Sequence, residues 1–145
     1  MTGVDFHFNT PDKVAYACRL LRKAVGKGFR LVVTGEPEVL RELDIALWTF
    51  SPLDFVPHCY GASAGAQVAA ASPVLLADSA RDAPHPQVLV NLGAGVPEGF
   101  ERFERLIEVV AADDQDRQLG RRRWKHYKDR GYAVASHDRA REAAE

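Results

Sequence analysis

The chain has 145 residues, 46% of them hydrophobic, which suffices for one core and is too short for two comfortable domains. A domain of this size buries roughly 68–70% of the surface its unfolded chain exposes, so it folds without a disulfide framework or a structural metal. A formal net charge of −1 points to neither nucleic acid nor membrane, but the charge is unevenly placed: positions 36–44 and 98–114 are acid-rich, whereas Arg117 to Arg130 holds seven Lys/Arg against one Asp.

Val4, Phe6 and Phe8 alternate with Asp5 and His7, the period of a strand with one apolar face. Thr10-Pro11 then supplies an N-cap and a first-turn proline for a helix carrying Val14, Ala17, Cys18, Leu21, Ala24 and Val25, ended by Gly26 and Gly28. Phe29 to Val33 reads as a buried strand returning beside the first, a βαβ unit. Pro37 opens a second helix with Val39, Leu40, Leu43, Ala46 and Leu47 on its apolar stripe and Trp48 at its end. Phe50 to Ala71 is a long connection. Val74 to Leu76, Val88 to Leu92 and Leu106 to Val110 are candidate strands, the last preceded by a short helix over Pro97 to Arg105 or absorbed into it. Asp113 and Asp114 begin a final helix that runs to Gly131, and 133–145 reads as a partly frayed tail. Strands alternating with helices predict one α/β domain over 1–145, a mostly parallel sheet with helices on both faces.

Motifs for catalysis are weak. Asn91-Leu-Gly-Ala-Gly-Val-Pro-Glu-Gly resembles a dinucleotide loop, yet Glu98 stands where the third glycine belongs and would repel a pyrophosphate. Gly61-Ala-Ser-Ala-Gly-Ala-Gln lacks the phosphate-reaching lysine. His58 and Cys59 are adjacent, and sequence neighbours point apart. His7, His58, His85, His126 and His137 show no metal-ligand spacing. The expectation is a protein with no catalytic residues, no metal and no cofactor. Two cysteines without CxxC spacing suit a reduced compartment, and neither a leader-like start nor a long apolar run appears, which predicts a cytoplasmic protein without membrane contact.

The informative segment is Arg117 to Tyr132, where cations interleave with aromatics. On a helix Arg117, Arg121, Trp124, Lys125 and Lys128 follow three-or-four-residue spacing and form one basic and apolar stripe. Such a stripe suits an acidic peptide with an apolar anchor, the arginines taking carboxylates and the ring forming a wall. Two other readings stay open: Leu119, Trp124 and Tyr127 simply pack into the core, or the helix binds single-stranded nucleic acid directly.

The opening Val4-Asp-Phe-His-Phe, the Ala46-Leu-Trp48 to Phe55-Val-Pro-His58 segment, Val88-Leu-Val-Asn-Leu, the run from Glu101 to Val110 and the Arg117 to Tyr132 block together resemble the chi subunit of bacterial DNA polymerase III. The resemblance implies a Rossmann-like sheet with no nucleotide site and a non-catalytic adaptor of the clamp-loader assembly in DNA replication, which meets DNA only through its partners. It further implies that Arg117, Arg121, Lys125 and Lys128, with Trp124 as aromatic wall, hold the acidic C-terminal tail of single-stranded DNA-binding protein. By the same likeness Leu47, Trp48, Phe55, Val56 and Pro57 meet the psi subunit, or, in a host without psi, another partner such as a helicase. For that apolar cluster, burial in the core is the competing expectation. Gly120 costs about 1 kcal/mol relative to alanine inside a helix, which predicts a less rigid or later-starting binding helix. Asp113, Asp114 and Asp116 would repel an acidic ligand unless they are engaged in capping.

Overall fold

The computed structural model describes residues 2–49, 58–60, 73–77, 79–81 and 85–139. Seven strands, β1 (Gly3–Thr10), β2 (Leu31–Thr34), β3 (His58–Tyr60), β4 (Val74–Ala77), β5 (Val88–Asn91), β6 (Arg105–Ala111) and β7 (Val134–Asp138), form one sheet in the order β3-β4-β2-β5-β6-β1-β7. Every neighbouring pair is parallel. Helices α1 (Lys13–Gly26) and α2 (Pro37–Thr49) cover one face, and α3 (Asp114–Asp129) covers the other. The expected single-sheet α/β architecture is thus present.

The alternation read from β1 sorts side chains between two cores. Val4 and Phe6 join Val32, Leu89, Leu106, Val110 and Tyr127 on the α3 side, whereas Val33, Val90, Ile107 and Val109 pack with Leu21, Leu40, Leu43 and Leu47 on the α1/α2 side. Internal parallel strands are buried on both faces, which is why β2 and β5 read as unbroken apolar runs.

Several expectations need correction. β2 does not lie beside β1, because β5 and β6 are inserted between them and β1 pairs with β6 and β7 instead. Asp12, not Thr10, caps α1, its carboxylate accepting from the Ala15 N–H at 3.1 Å. The Thr10 hydroxyl is buried and donates to the Val110 carbonyl at 3.0 Å, tying β1 to β6. The short helix before β6 is only a 3-10 turn over Phe100–Arg102. Helix does not continue through Val110, since β6 occupies Arg105–Ala111. The tail is not frayed over Val134–Asp138, which forms the edge strand; 140–145 lies outside the described residues. The long connection after α2 contains β3, and its remaining residues 50–57 and 61–72 also lie outside them.

A polar network crosses the α3 core. Glu108 on β6 is fully buried, and its Oε1 accepts from Arg123 Nε at 3.0 Å and Asn91 Nδ2 at 2.8 Å, while the Tyr127 hydroxyl donates to Oε2. Burial pushes the Glu108 carboxyl above its usual range, with the Arg123 guanidinium and the three donated hydrogen bonds opposing it. Burial and the nearby Glu108 carboxylate likewise raise the Tyr127 hydroxyl. Arg123 Nη1 also donates to the Ala94 carbonyl at 2.7 Å, and Asn91 Nδ2 to that of Gly95 at 3.0 Å. These bonds tie the glycine-rich turn to the core, and Glu98 within it pairs with Arg81 at 3.2 Å.

Candidate functional site

Helix α3 starts where Asp113 Oδ2 accepts from the Asp116 N–H at 3.0 Å, and its C-terminal end turns at Gly131 with φ +85°. Its buried face is Gly120, Arg123 and Tyr127. Adding a Cβ at Gly120 would bring it within 2.9 Å of Val110 Cγ2, so this glycine sets how closely the helix lies on β6. The expectation of a later start is not met, since the helix begins at Asp114 and is continuous through position 120, where the close approach of Val110 leaves room for glycine alone.

One position along from that buried stripe, Arg117, Arg121 and Trp124 line a cavity of about 260 Å³ with Phe6 and Phe8 of β1, Val110 of β6, Gly120 and Ser136 of β7. Two aromatic rings and a valine provide apolar surface, and two guanidinium-bearing side chains stand on the helix side. Trp124 is 40% exposed, so it serves as a wall and not as core. Lys128 lies with Nζ 5.4 Å from the Trp124 ring centroid, a cation over the ring face. Lys125 is exposed and does not line the cavity. The core-packing alternative holds for Tyr127 alone, since Leu119 is only partly buried.

The three acids at the helix start are largely engaged. Asp116 Oδ2 accepts from Lys13 Nζ at 3.0 Å and from the Ala111 N–H at 2.7 Å, and Asp113 caps the helix. Asp114 faces Arg117 at 3.7 Å with its carboxylate 94% exposed, leaving it as the one acid that competes for the cavity's arginines.

The second predicted cluster divides. Leu47 is fully buried in the α1/α2 core and cannot be offered to a partner, whereas Trp48 is 61% and Ile45 64% exposed on α2. Phe55, Val56 and Pro57 lie outside the described residues. Among the described residues no three His, Cys, Asp or Glu side chains converge as a metal set, and no helix is long and apolar enough to cross a membrane. Cys18 is a buried free thiol, raised by burial to about 11.

Sequence reasoning missed Phe6 and Phe8 as the cavity floor, Ser136 as a wall and Arg123 as a core residue. The first pair share a face by strand alternation, but nothing local says which helix covers it. Arg123 was findable: Gly120, Arg123 and Tyr127 stand three and four apart, the spacing of a buried stripe.

Fold and site define a parallel α/β domain whose last helix carries a cationic and aromatic pocket suited to binding. A model of the family described as DNA polymerase III chi subunit, HolC, matches residues 1–135. The chain is 31% identical over 142 residues to the DNA polymerase III subunit chi of Pseudomonas aeruginosa, covering 94% of this chain and 96% of the relative. It is 29% identical over 119 residues to the Escherichia coli subunit chi, covering 79% and 78% respectively. The chain belongs to the DNA polymerase III chi subunit family, and thereby to the accessory subunits of the replication machinery.

Proposed function

We propose that the α3 pocket binds the acidic C-terminal tail of single-stranded DNA-binding protein and that this chain couples it, through psi, to the clamp loader. The observation carrying this reading is the convergence of Arg117, Arg121 and Trp124 over the Phe6, Phe8 and Val110 floor. A terminal phenylalanine ring fills the apolar part against Trp124, and its carboxylate and the neighbouring acids meet the two guanidinium groups, which accept planar carboxylates in a fork. Lys125 and Lys128 extend the positive field along the exposed helix, where they contribute to attraction more than to fit. Membership of the chi family supports the replication setting. For psi, the reading rests on the exposed end of α2, Trp48 with Ile45, with Leu47 buried beneath it; Phe55, Val56 and Pro57, which lie outside the described residues, belong to it by the family resemblance alone.

Calorimetric titration with the acidic, phenylalanine-terminated tail peptide tests the pocket. Saturable binding is expected, weakened at least about tenfold by Arg121→Ala or by removal of the terminal phenylalanine, on the scale of a buried charge-assisted contact. A folded protein that takes up no peptide at low salt would overturn the assignment. Loss of psi capture in Trp48→Ala, with tail affinity intact, tests the second surface.

A further inference from the structure

A second cavity, of about 290 Å³, opens on the opposite face of the sheet from the α3 pocket. Its floor is formed by Leu31, Val88 and Ile107 from three internal strands, and its rim is cationic. Lys23 and Lys27 reach it from the C-terminal end of α1, Arg105 from β6 and Arg139 from just beyond β7. Among the residues lining the cavity the one carboxylate is Asp5, whose oxygens already face Arg105 at 3.0 Å and His137 at 3.4 Å. Lys23 and Lys27 have no acidic partner among the described residues. In a chain of net charge −1 this is a local concentration of positive charge, and four separate elements are needed to build it.

Phe29, 39% exposed, also lines the cavity and adds a flat apolar surface beside the cations. The field is felt by the buried His7 ring: burial first, then the nearby Arg139 and His137 charges, hold it down at about 4. The floor strands are paired on both sides, so an extended peptide has no free backbone edge to join here and recognition must run through side chains. Charges around a compact cleft with one exposed ring suit a phosphate attached to a planar base, and the volume lies at the small end of ligand clefts, about 300–1,000 Å³.

We propose that this cleft is a nucleotide-unit site, in which Lys23, Lys27 and Arg105 hold a phosphate and Phe29 carries the base. The unit comes either from a single-stranded DNA segment or from a free nucleotide. The site does not depend on the tail-binding reading, since none of its residues lines the α3 pocket.

Fluorescence anisotropy of a fluorescein-labelled oligo(dT) of about ten nucleotides tests it, with unlabelled dTMP as competitor. Lys23 and Lys27 are exposed, so Lys23→Ala/Lys27→Ala leaves the fold intact, which thermal melting checks. The double variant is expected to weaken oligonucleotide binding at least about tenfold and to reduce the salt slope by about 0.7, the loss of one single-strand phosphate contact. Phe29→Ala is expected to weaken it about fivefold or more with the slope unchanged. Arg121→Ala, which disables the other pocket, is expected to bind like the parent. Displacement by dTMP near its own binding concentration assigns the site to free nucleotides, and resistance to it assigns the site to the strand. Absence of binding by both probes, or binding indifferent to the double variant, overturns the proposal, and binding lost only in Arg121→Ala moves it to α3.

Discussion

Gly120 and Val110 approach so closely that one methyl group decides how the last helix sits. Gly120→Ala improves helix propensity and is nonetheless expected to destabilise the fold by about 1–3 kcal/mol, because the added carbon overlaps Val110 and must push α3 off β6. Urea unfolding measures it. Glu108 is held by Arg123, Asn91 and Tyr127, so Glu108→Ala strands a buried guanidinium and is expected to cost about 3–5 kcal/mol, read the same way. His7 titrates at about 4 in the folded chain against 6.5 unfolded, chiefly through burial. Between those values the unfolded chain binds a proton that the folded chain refuses, so this residue's contribution is complete above pH 6.5 and declines as pH falls toward 4. Melting temperatures at pH 7 and pH 5 are expected to differ less in His7→Gln than in the parent. At the pocket mouth, Asp114→Asn releases Arg117 from the acid it faces and is expected to tighten the tail peptide about two- to fivefold by calorimetry, an exposed-pair effect that salt erases.

At the scale of elements, β7 closes the sheet and supplies Ser136 to the α3 pocket. A chain ending at Gly131 bares one side of β1, and it is expected to self-associate in size-exclusion chromatography and to lose tail binding. β7 was not legible in the sequence because Val134–Asp138 is half exposed and shows no sustained alternation. The helices and the strands β1, β2, β4 and β5 were legible from period and turn chemistry, because burial on one or two faces writes a pattern into the chain, whereas period alone left β6 open between strand and helix. Strand order was not. Whether β2 lies beside β1 is settled by pairing between the first strand and the last two, a long-range outcome that no local window contains. The basic-aromatic stripe was legible as well, but Lys125 shared its spacing with Arg121 and lies outside the cavity, since a helix surface is continuous and only the neighbouring strands say where the pocket ends.

At the scale of the molecule, the sheet puts the α3 pocket on one face and the cationic cleft beside α1 and the exposed end of α2 on the other. The proposed coupling of two partners benefits from such separation, because partners on different faces do not exclude one another. The two tryptophans report on two of these surfaces independently, Trp124 at the pocket and Trp48 on α2. The most direct test is therefore an NMR titration following the two indole N–H resonances as the acidic, phenylalanine-terminated tail peptide is added. The account predicts that the Trp124 resonance shifts saturably while that of Trp48 stays in place. A Trp124 resonance unmoved at saturating peptide, or a shift confined to Trp48, would contradict it.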